Sequence, residues 1–478
     1  MKKYFSPRLL LLLILFLPST FSLKGQIGVD SSKSYLITKN DGKPFFWLAD
    51  TGWELFHRLT REEVIHYLDK REEQQFNVIM AVALAELNGL RQPNMYGDMP
   101  FKDLETLEWA VTPGNSPDND DEYDYWDHLD FVIKEAANRN IYIGLLPTWG
   151  DKVAYNWGDG PMVFNNNPEG AYNYTKKLAE RYKNQWNIIW ILGGDRAATY
   201  ERGGKKHDDR PVWRAMAKAI EDSYGKDVFI AYHPGWPETS AYFPDEEWLD
   251  MHTLQSGHGS RTVKPWETIA IDLAREPKRP VIDLEPCYED HPVNVWDGKW
   301  TREERGYFND YDVRARIYRG VFAGGAGATY GHHQIWQFLD TTRNAPVWVG
   351  DTIIGWKNAL NAKAAGHLYH IKNLMLSQKD FNRIEDNSLV VSERGTDYRD
   401  QIIATRNHAA TYAMVYLPQP LPIKIDLDKL GNTPKNVSWF NPVTGLYDKI
   451  KGKFSSGTHT FTPPDTKQRD WVLVIERE

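Results

Sequence analysis

The sequence predicts a (β/α)8 TIM barrel followed by a small C-terminal β-sandwich. Three observations carry this reading. Eight short apolar runs alternate with helical stretches up to about Trp336, as in a barrel of repeated strand–helix units. Nearly every run ends on a polar or aromatic residue, at the strand ends where such a barrel keeps its active site. From about Asp386 the chain switches to short alternating strands separated by turn residues, which is sandwich patterning.

The strand runs are Pro44–Asp50, Asn77–Leu84, Ile141–Trp149, Asn187–Asp195, Asp227–His233, Leu249–His258, Pro280–Pro286 and Gly327–Trp336. Between them lie helical stretches at 60–74, 125–139, 171–183, 211–224 and 311–323. The first opens on Thr60 with Glu63 three places later, a capping-box signature. A doubly wound sheet would give similar alternation, but a glycine-rich phosphate turn should then follow strand one. The Ala49–Phe56 stretch, ADTGWELF, does not match it. A further helical segment, 350–377, follows strand eight. The domains expected are a signal peptide over 1–25, a barrel catalytic domain over 26–385 and a β-sandwich over 386–478.

The first 25 residues combine a basic start, a short apolar core and small residues, a secretory signal whose apolar run is too short to span a bilayer. No later run is long enough to do so. The mature protein is therefore expected to be exported to the periplasm or cell surface, without membrane insertion and as a monomer. Over all 478 residues, 57 Lys and Arg face 65 Asp and Glu, a net charge of −8. An acidic chain has no basic excess for phosphates, so a nucleic-acid partner is not expected. Cys287 is the single cysteine, which excludes an internal disulfide framework and a Cys-based zinc site. The 19 Trp, 25 Tyr and 19 Phe are a first hint of carbohydrate, since amphipathic rings suit sugar faces as well as cores.

The strand ends supply the candidate chemistry. Asp50 closes strand one with Trp53 beyond; Glu86 follows strand two; Trp149 ends strand three; Asp195 ends strand four. His233 ends strand five, Gln255 and His258 strand six, and Glu285 strand seven, while His332, His333 and Trp336 lie on strand eight. Alternate residues of a strand share a face. That parity groups Asp195 with Ile189 and Ile191, and Glu285 with Val281 and Asp283, leaving Ile282 and Leu284 for the helices. If both carboxylates face the axis, they converge on one cavity. Glycoside hydrolysis needs such a pair, one to protonate the leaving oxygen and one to attack or to activate water. Each residue has a plainer reading: Asp195 as a turn former, Glu285 in a structural ion pair, the histidines as loop braces, Trp149 and Trp336 as core. The joint pattern is stronger than any member.

Other motifs fail. Gly324–Gly331 looks like a nucleotide loop but precedes a strand, and no G-x-S-x-G elbow exists. The acidic Ser116–Asp124 run lacks the glycine of a calcium loop. His332–His333 lacks partners at metal-ligand spacing. No metal or cofactor is expected.

The stretches PFFWLADTGWELFHRLT, WILGGD, LQSGH, ID-x-EPCYE and GHHQIWQF, quoted as they stand here, resemble glycoside hydrolase family 140, the apiosidase-type family of pectin-degrading bacteria. The resemblance runs from about Ile27 to the C-terminus, whose β-domain is similar to a module carrying a collagen-binding label. It implies a barrel with Asp195 as acid/base and Glu285 as nucleophile, acting on a pectic oligosaccharide or polysaccharide; the strand-end reading puts Asp50, Trp53, Glu86, Trp149, His233, Gln255, His258, His332 and Trp336 around that substrate. It also implies cleavage of the apiose–galacturonic acid linkage in rhamnogalacturonan II. The wider clan of retaining barrels carries Asn-Glu after strand four; here Gly194-Asp195 stands there, an acid shorter by one methylene. The alternatives are another plant-glycan glycosidase of this fold, a glycan-binding protein without turnover, and an adhesin working through its sandwich.

Overall fold

The computed structural model describes residues 25–155, 160–348, 350–431, 434 and 436–477. Apart from Gly25, the expected signal peptide lies outside the described residues. Six parallel strands form one curled sheet: β1 (Trp47–Thr51), β2 (Val78–Val82), β3 (Tyr142–Leu146), β4 (Ile188–Gly193), β5 (Ile230–His233) and, after two others, β8 (Gly327–Tyr330). Their order is β5-β4-β3-β2-β1-β8. The remaining two, β6 (His252–Leu254) and β7 (Val281–Asp283), pair in parallel as a separate ribbon. Single backbone bonds tie it to both edges, Asp250 N–H to Ile230 O at 3.0 Å and Ala326 N–H to Val281 O at 2.8 Å.

These strands are apolar almost throughout because both faces are covered. Trp47, Ala49, Val78, Met80, Ile189, Ile191 and Ala231 fill the concave interior, while Leu48, Ile79, Trp190 and Leu192 pack outwards with the helices. A short antiparallel trio (Ile27–Val29, Leu36–Thr38, Pro44–Phe45) covers the end where the strands begin, contributing Ile27, Leu36 and Phe45 to the interior.

Five covering helices lie where the periodicity places them: α1 (Arg61–Glu73), α2 (Tyr125–Asn138), α3 (Pro168–Tyr182), α4 (Arg210–Tyr224) and α6 (Asp310–Phe322); α5 (Pro265–Leu273) is an addition to the stretches read from the sequence. The Thr60/Glu63 capping box is present, with Glu63 N–H donating to Thr60 Oγ1 at 3.3 Å and Thr60 N–H to Glu63 Oε2 at 3.2 Å. No helix among the described residues is long and apolar enough to cross a membrane.

The C-terminal unit is antiparallel. Strands β9 (Arg383–Glu385), β10 (Ile403–Asn407), β11 (Tyr412–Leu417), β13 (Asn436–Phe440), β14 (Tyr447–Lys449) and β16 (Trp471–Glu476) form a sheet of order β9-β10-β11-β16-β13-β14. The ribbon of β12 (Ile423–Asp426) and β15 (Thr458–Phe461) covers one face through Ile423, Ile425 and Phe461. The other face carries Ile403, Met414, Tyr416 and Val472, which join the core around α6. Alternating patterning thus reports two buried faces, but one of them belongs to the parallel-sheet unit. Arg314 on α6 grips Asp470 with two bonds, Nε to Oδ2 at 2.8 Å and Nη2 to Oδ1 at 2.7 Å. Both side chains are buried.

Candidate active site

Asp195 and Glu285 come together at the C-terminal mouth of the parallel sheet by different routes, with His233 in contact with both. On β4 the parity argument holds, with Ile189 and Ile191 inside and Trp190 outside. The turn beyond is built from left-handed residues: Gly193 at φ 89°, Gly194 at φ 125° and Asp195 itself at φ 51°. Glycine is required at Gly193, where a Cβ would meet His233 O at 2.2 Å. Asp195 sits in a conformation that costs a side-chain-bearing residue energy, a feature that clusters at functional sites.

On β7 the parity expectation is corrected. Ile282 and Leu284 face the interior, whereas Val281 joins the helix-side cluster. Asp283 lies on that outer side too, accepting from Ser256 N–H at 3.2 Å. Glu285 enters the cavity because the strand ends at Asp283 and the chain bends at Leu284–Glu285 before Pro286.

Around Glu285 the site is built from histidines and aromatic rings. His258 Nε2 lies 3.1 Å from Glu285 Oε1 and His233 Nε2 lies 3.2 Å from Oε2. Burial pushes the Glu285 carboxyl up, but the two imidazoles outweigh it and hold its pKa at about 2. Asp195 moves the opposite way. Burial raises its pKa, the Glu285 charge adds to this, and Arg196, Gln255 and His233 oppose without prevailing. Asp195 N–H also donates to His233 Nδ1 at 3.3 Å, so one imidazole touches both acidic residues. The Asp195 side chain keeps 32 % of its surface exposed, against 8 % for Glu285, which leaves it open to a leaving group.

Trp53, Trp149 and His233 form the floor, with Trp53–Trp149 centroids 4.9 Å apart and each indole 5.4 Å from the imidazole. Trp336 lies in the same interior cluster. Glu86 lines the wall beside Asp195: Arg196 bridges them, Nη1 to Asp195 Oδ2 at 3.0 Å and Nη2 to Glu86 Oε1 at 3.2 Å. Burial lifts the Glu86 pKa to about 7, with Arg196 opposing and Asp151 and Asp195 adding.

Two expected residues are not brought to the cavity. Asp50 occupies the helix-facing parity of β1, where its Oδ2 accepts from Arg71 Nε at 2.7 Å and from Tyr67 OH at 2.5 Å. It is a buried ion pair, fully enclosed. His332 caps the short helix His333–Trp336, its Nδ1 accepting from Gln334 N–H at 3.2 Å while Nε2 faces Asp290 at 3.4 Å.

The sequence reading missed Arg196 and Tyr288. Tyr288 OH accepts from Trp53 Nε1 at 2.9 Å, and its ring lies 4.3 Å from His258. Both had a local signal, one adjacent to Asp195 and the other inside the EPCYE stretch. Cys287, next to Tyr288, is buried, and burial pushes its thiol up to about 12. Among the described residues no group of three or more His, Cys, Asp or Glu could hold a metal ion.

A carboxylate kept charged beside a carboxyl that favours its proton, at the mouth of a parallel α/β sheet, defines the class: a glycoside hydrolase acting on a carbohydrate. The comparisons agree. A family model described as the apiosidase-like catalytic domain matches residues 30–382, and one named for the collagen-binding domain of a collagenase matches 384–476. The chain belongs to the apiosidase-like family. Among solved structures it is similar to one described as a glycoside hydrolase, at 32% identity over 95% of this chain and 97% of that one with a TM-score of 0.79. Another, a glycoside hydrolase family 5 protein from Bacteroides vulgatus, shows 33% identity over 95% of this chain and 93% of that one, with a TM-score of 0.80. No curated protein matches.

Proposed function

We propose that this chain is an exported, retaining apiosidase of glycoside hydrolase family 140, cleaving the apiose–galacturonic acid linkage in side chains of rhamnogalacturonan II. The observation that carries the mechanism is the opposed environments of the two carboxyls, Glu285 held at about 2 and Asp195 raised. Glu285 is the nucleophile. Its Oε2, 3.2 Å from His233 Nε2, attacks the anomeric carbon, while Asp195 gives its proton to the departing glycosidic oxygen. Asp195, now charged, takes a proton from the water that hydrolyses the glycosyl–enzyme ester. His233, His258 and Gln255 set these charges; Trp53, Trp149 and Trp336 present ring faces to the sugar.

In this reading β6 and β7 complete a (β/α)8 barrel between β5 and β8, supported by the backbone bonds at both edges. Residues 1–25 are removed on export, leaving a monomer of a catalytic unit over 26–385 and a β-domain over 386–478. The substrate rests on the sequence resemblance, supported by the apiosidase-like family match. Purified protein should release an apiose-terminated fragment of retained anomeric configuration from rhamnogalacturonan II side chains, followed by NMR. An inverted first product, or a different sugar at the new reducing end, overturns the proposal.

A further inference from the structure

A second cavity, of about 250 Å3, whose lining contains neither Asp195 nor Glu285, lies between α5, α6 and the C-terminal unit. Its charge is lopsided. Five arginines line it, Arg261, Arg316, Arg319, Arg399 and Arg469, against one carboxylate, Asp312. Three of the five have ordinary partners. Arg261 pairs with Asp312 at 3.3 Å, Arg316 donates to Gly257 O at 3.1 Å, and Arg399 pairs with Asp397 at 2.8 Å.

Arg319 and Arg469 are different. Arg319 is 2 % exposed, and its one hydrogen bond among the described residues runs from Nε to Gln401 O at 2.9 Å. Its Nη2 is buried without a hydrogen-bond partner, and no carboxylate pairs with it among the described residues. A buried guanidinium without a counter-charge is costly, because desolvation is not offset; burial accordingly lowers its pKa. Arg399 and Arg469 are exposed at the rim; Arg469 is also without an ion pair among the described residues, and its guanidinium lies 3.6 Å from the Tyr311 ring centroid.

The walls are aromatic. Tyr311 and Tyr398 line the cavity, and Trp266 is buried beneath Arg319, which stacks over it at 4.6 Å. Guanidinium forks recognise carboxylates through paired hydrogen bonds, and flat rings take the apolar face of a sugar. From these features we propose that the cavity is a second carbohydrate site, selective for a carboxylated sugar ring: a uronate whose carboxylate binds between Arg319 and Arg469 while its ring lies against the aromatic wall. The site straddles the two units, so the C-terminal unit takes part in holding acidic glycan. It stands whichever glycosidic bond the enzyme cleaves.

The test uses the full chain carrying Glu285→Gln, so that no turnover intervenes, with galacturonate, digalacturonate, galactose and sodium sulfate as probes at matched ionic strength. Binding is read by calorimetry and by the thermal midpoint. Galacturonate or digalacturonate should bind and raise the midpoint, galactose should not, and Arg399→Ala/Arg469→Ala should weaken uronate binding about tenfold. In the otherwise native chain this rim pair should leave turnover of a small aryl glycoside unchanged. Arg319→Met should abolish uronate binding, and the rim pair stands alone should that variant not fold. Equal binding of galactose, a sulfate effect as large as that of galacturonate, or undiminished uronate binding in the rim variant would overturn the proposal.

Discussion

His258 accepts the backbone N–H of Tyr288 at Nδ1 (3.3 Å), which leaves its proton on Nε2, 3.1 Å from Glu285 Oε1. The tautomer is set by the backbone, and the Nε2–H so fixed is one of the two imidazole contacts that keep Glu285 charged.

Removing that donor should therefore move the acid limb of activity. Glu285 is charged well below the ordinary Glu value of about 4.3. His258→Ala should raise its pKa from about 2 and lower kcat/KM about tenfold or more near pH 4, with less loss at pH 7. His258→Gln, which keeps a donor, should recover part of this. The same group links to stability. A depressed carboxylate stabilises the fold fully above its unfolded pKa, and that share is lost as pH falls towards about 2. Thermal midpoints of His258→Ala should fall less steeply than those of the native chain between pH 5 and about 2.

The two acids should separate by leaving group. Glu285→Gln should abolish turnover of every substrate. Asp195→Asn should lose about 10²–10⁴-fold on natural substrate, yet be partly spared on an aryl glycoside with a good leaving group. Azide should then restore turnover, giving a glycosyl azide of retained configuration. Unchanged activity in either variant would reassign the pair.

Glu86 should set the alkaline limb. Asp195 must hold a proton to act, so activity falls as pH rises through its raised pKa, and Glu86 engages one arm of Arg196, the group that most opposes that rise. Glu86→Gln should shift the alkaline limb of kcat/KM to lower pH. A limb that stays in place shows that Glu86 does not act on Asp195.

The Arg314–Asp470 pair should be worth more than a surface bridge, since its side chains are 3 % and 0 % exposed. Asp470→Asn should lower stability by about 3–5 kcal/mol, and deletion of 386–478 should give aggregated protein by uncovering the apolar face of α6. A soluble truncated chain with a native thermal midpoint would contradict this.

Asp50→Asn should act on stability alone, by about 3–5 kcal/mol, with KM unchanged. Its position also shows where sequence reasoning stops. The runs, the helices between them and the Thr60 cap were legible because burial periodicity and capping are local. Face assignment at strand ends was not. One residue of phase separates Asp50, turned to Arg71, from Trp53 in the cavity. On β7 the bend at Leu284 delivered Glu285 against the parity that Val281 and Asp283 imply. Arg196 escaped notice because its role is to bridge Glu86 and Asp195, 110 and one positions away, a relation that only the folded sheet creates.

Arg314, Arg319 and Trp266 are completed from outside the catalytic unit, by Asp470 and Gln401. The C-terminal unit is thus not an exchangeable module. A chimera joining this parallel-sheet unit to a foreign β-domain would strand two buried guanidinium groups and the indole N–H of Trp266 unless the newcomer supplied a carboxylate and an amide at matching positions. Recombination within the family should therefore favour inheritance of the two halves together, and circular permutants or domain swaps that ignore these three residues should be recovered only as insoluble protein.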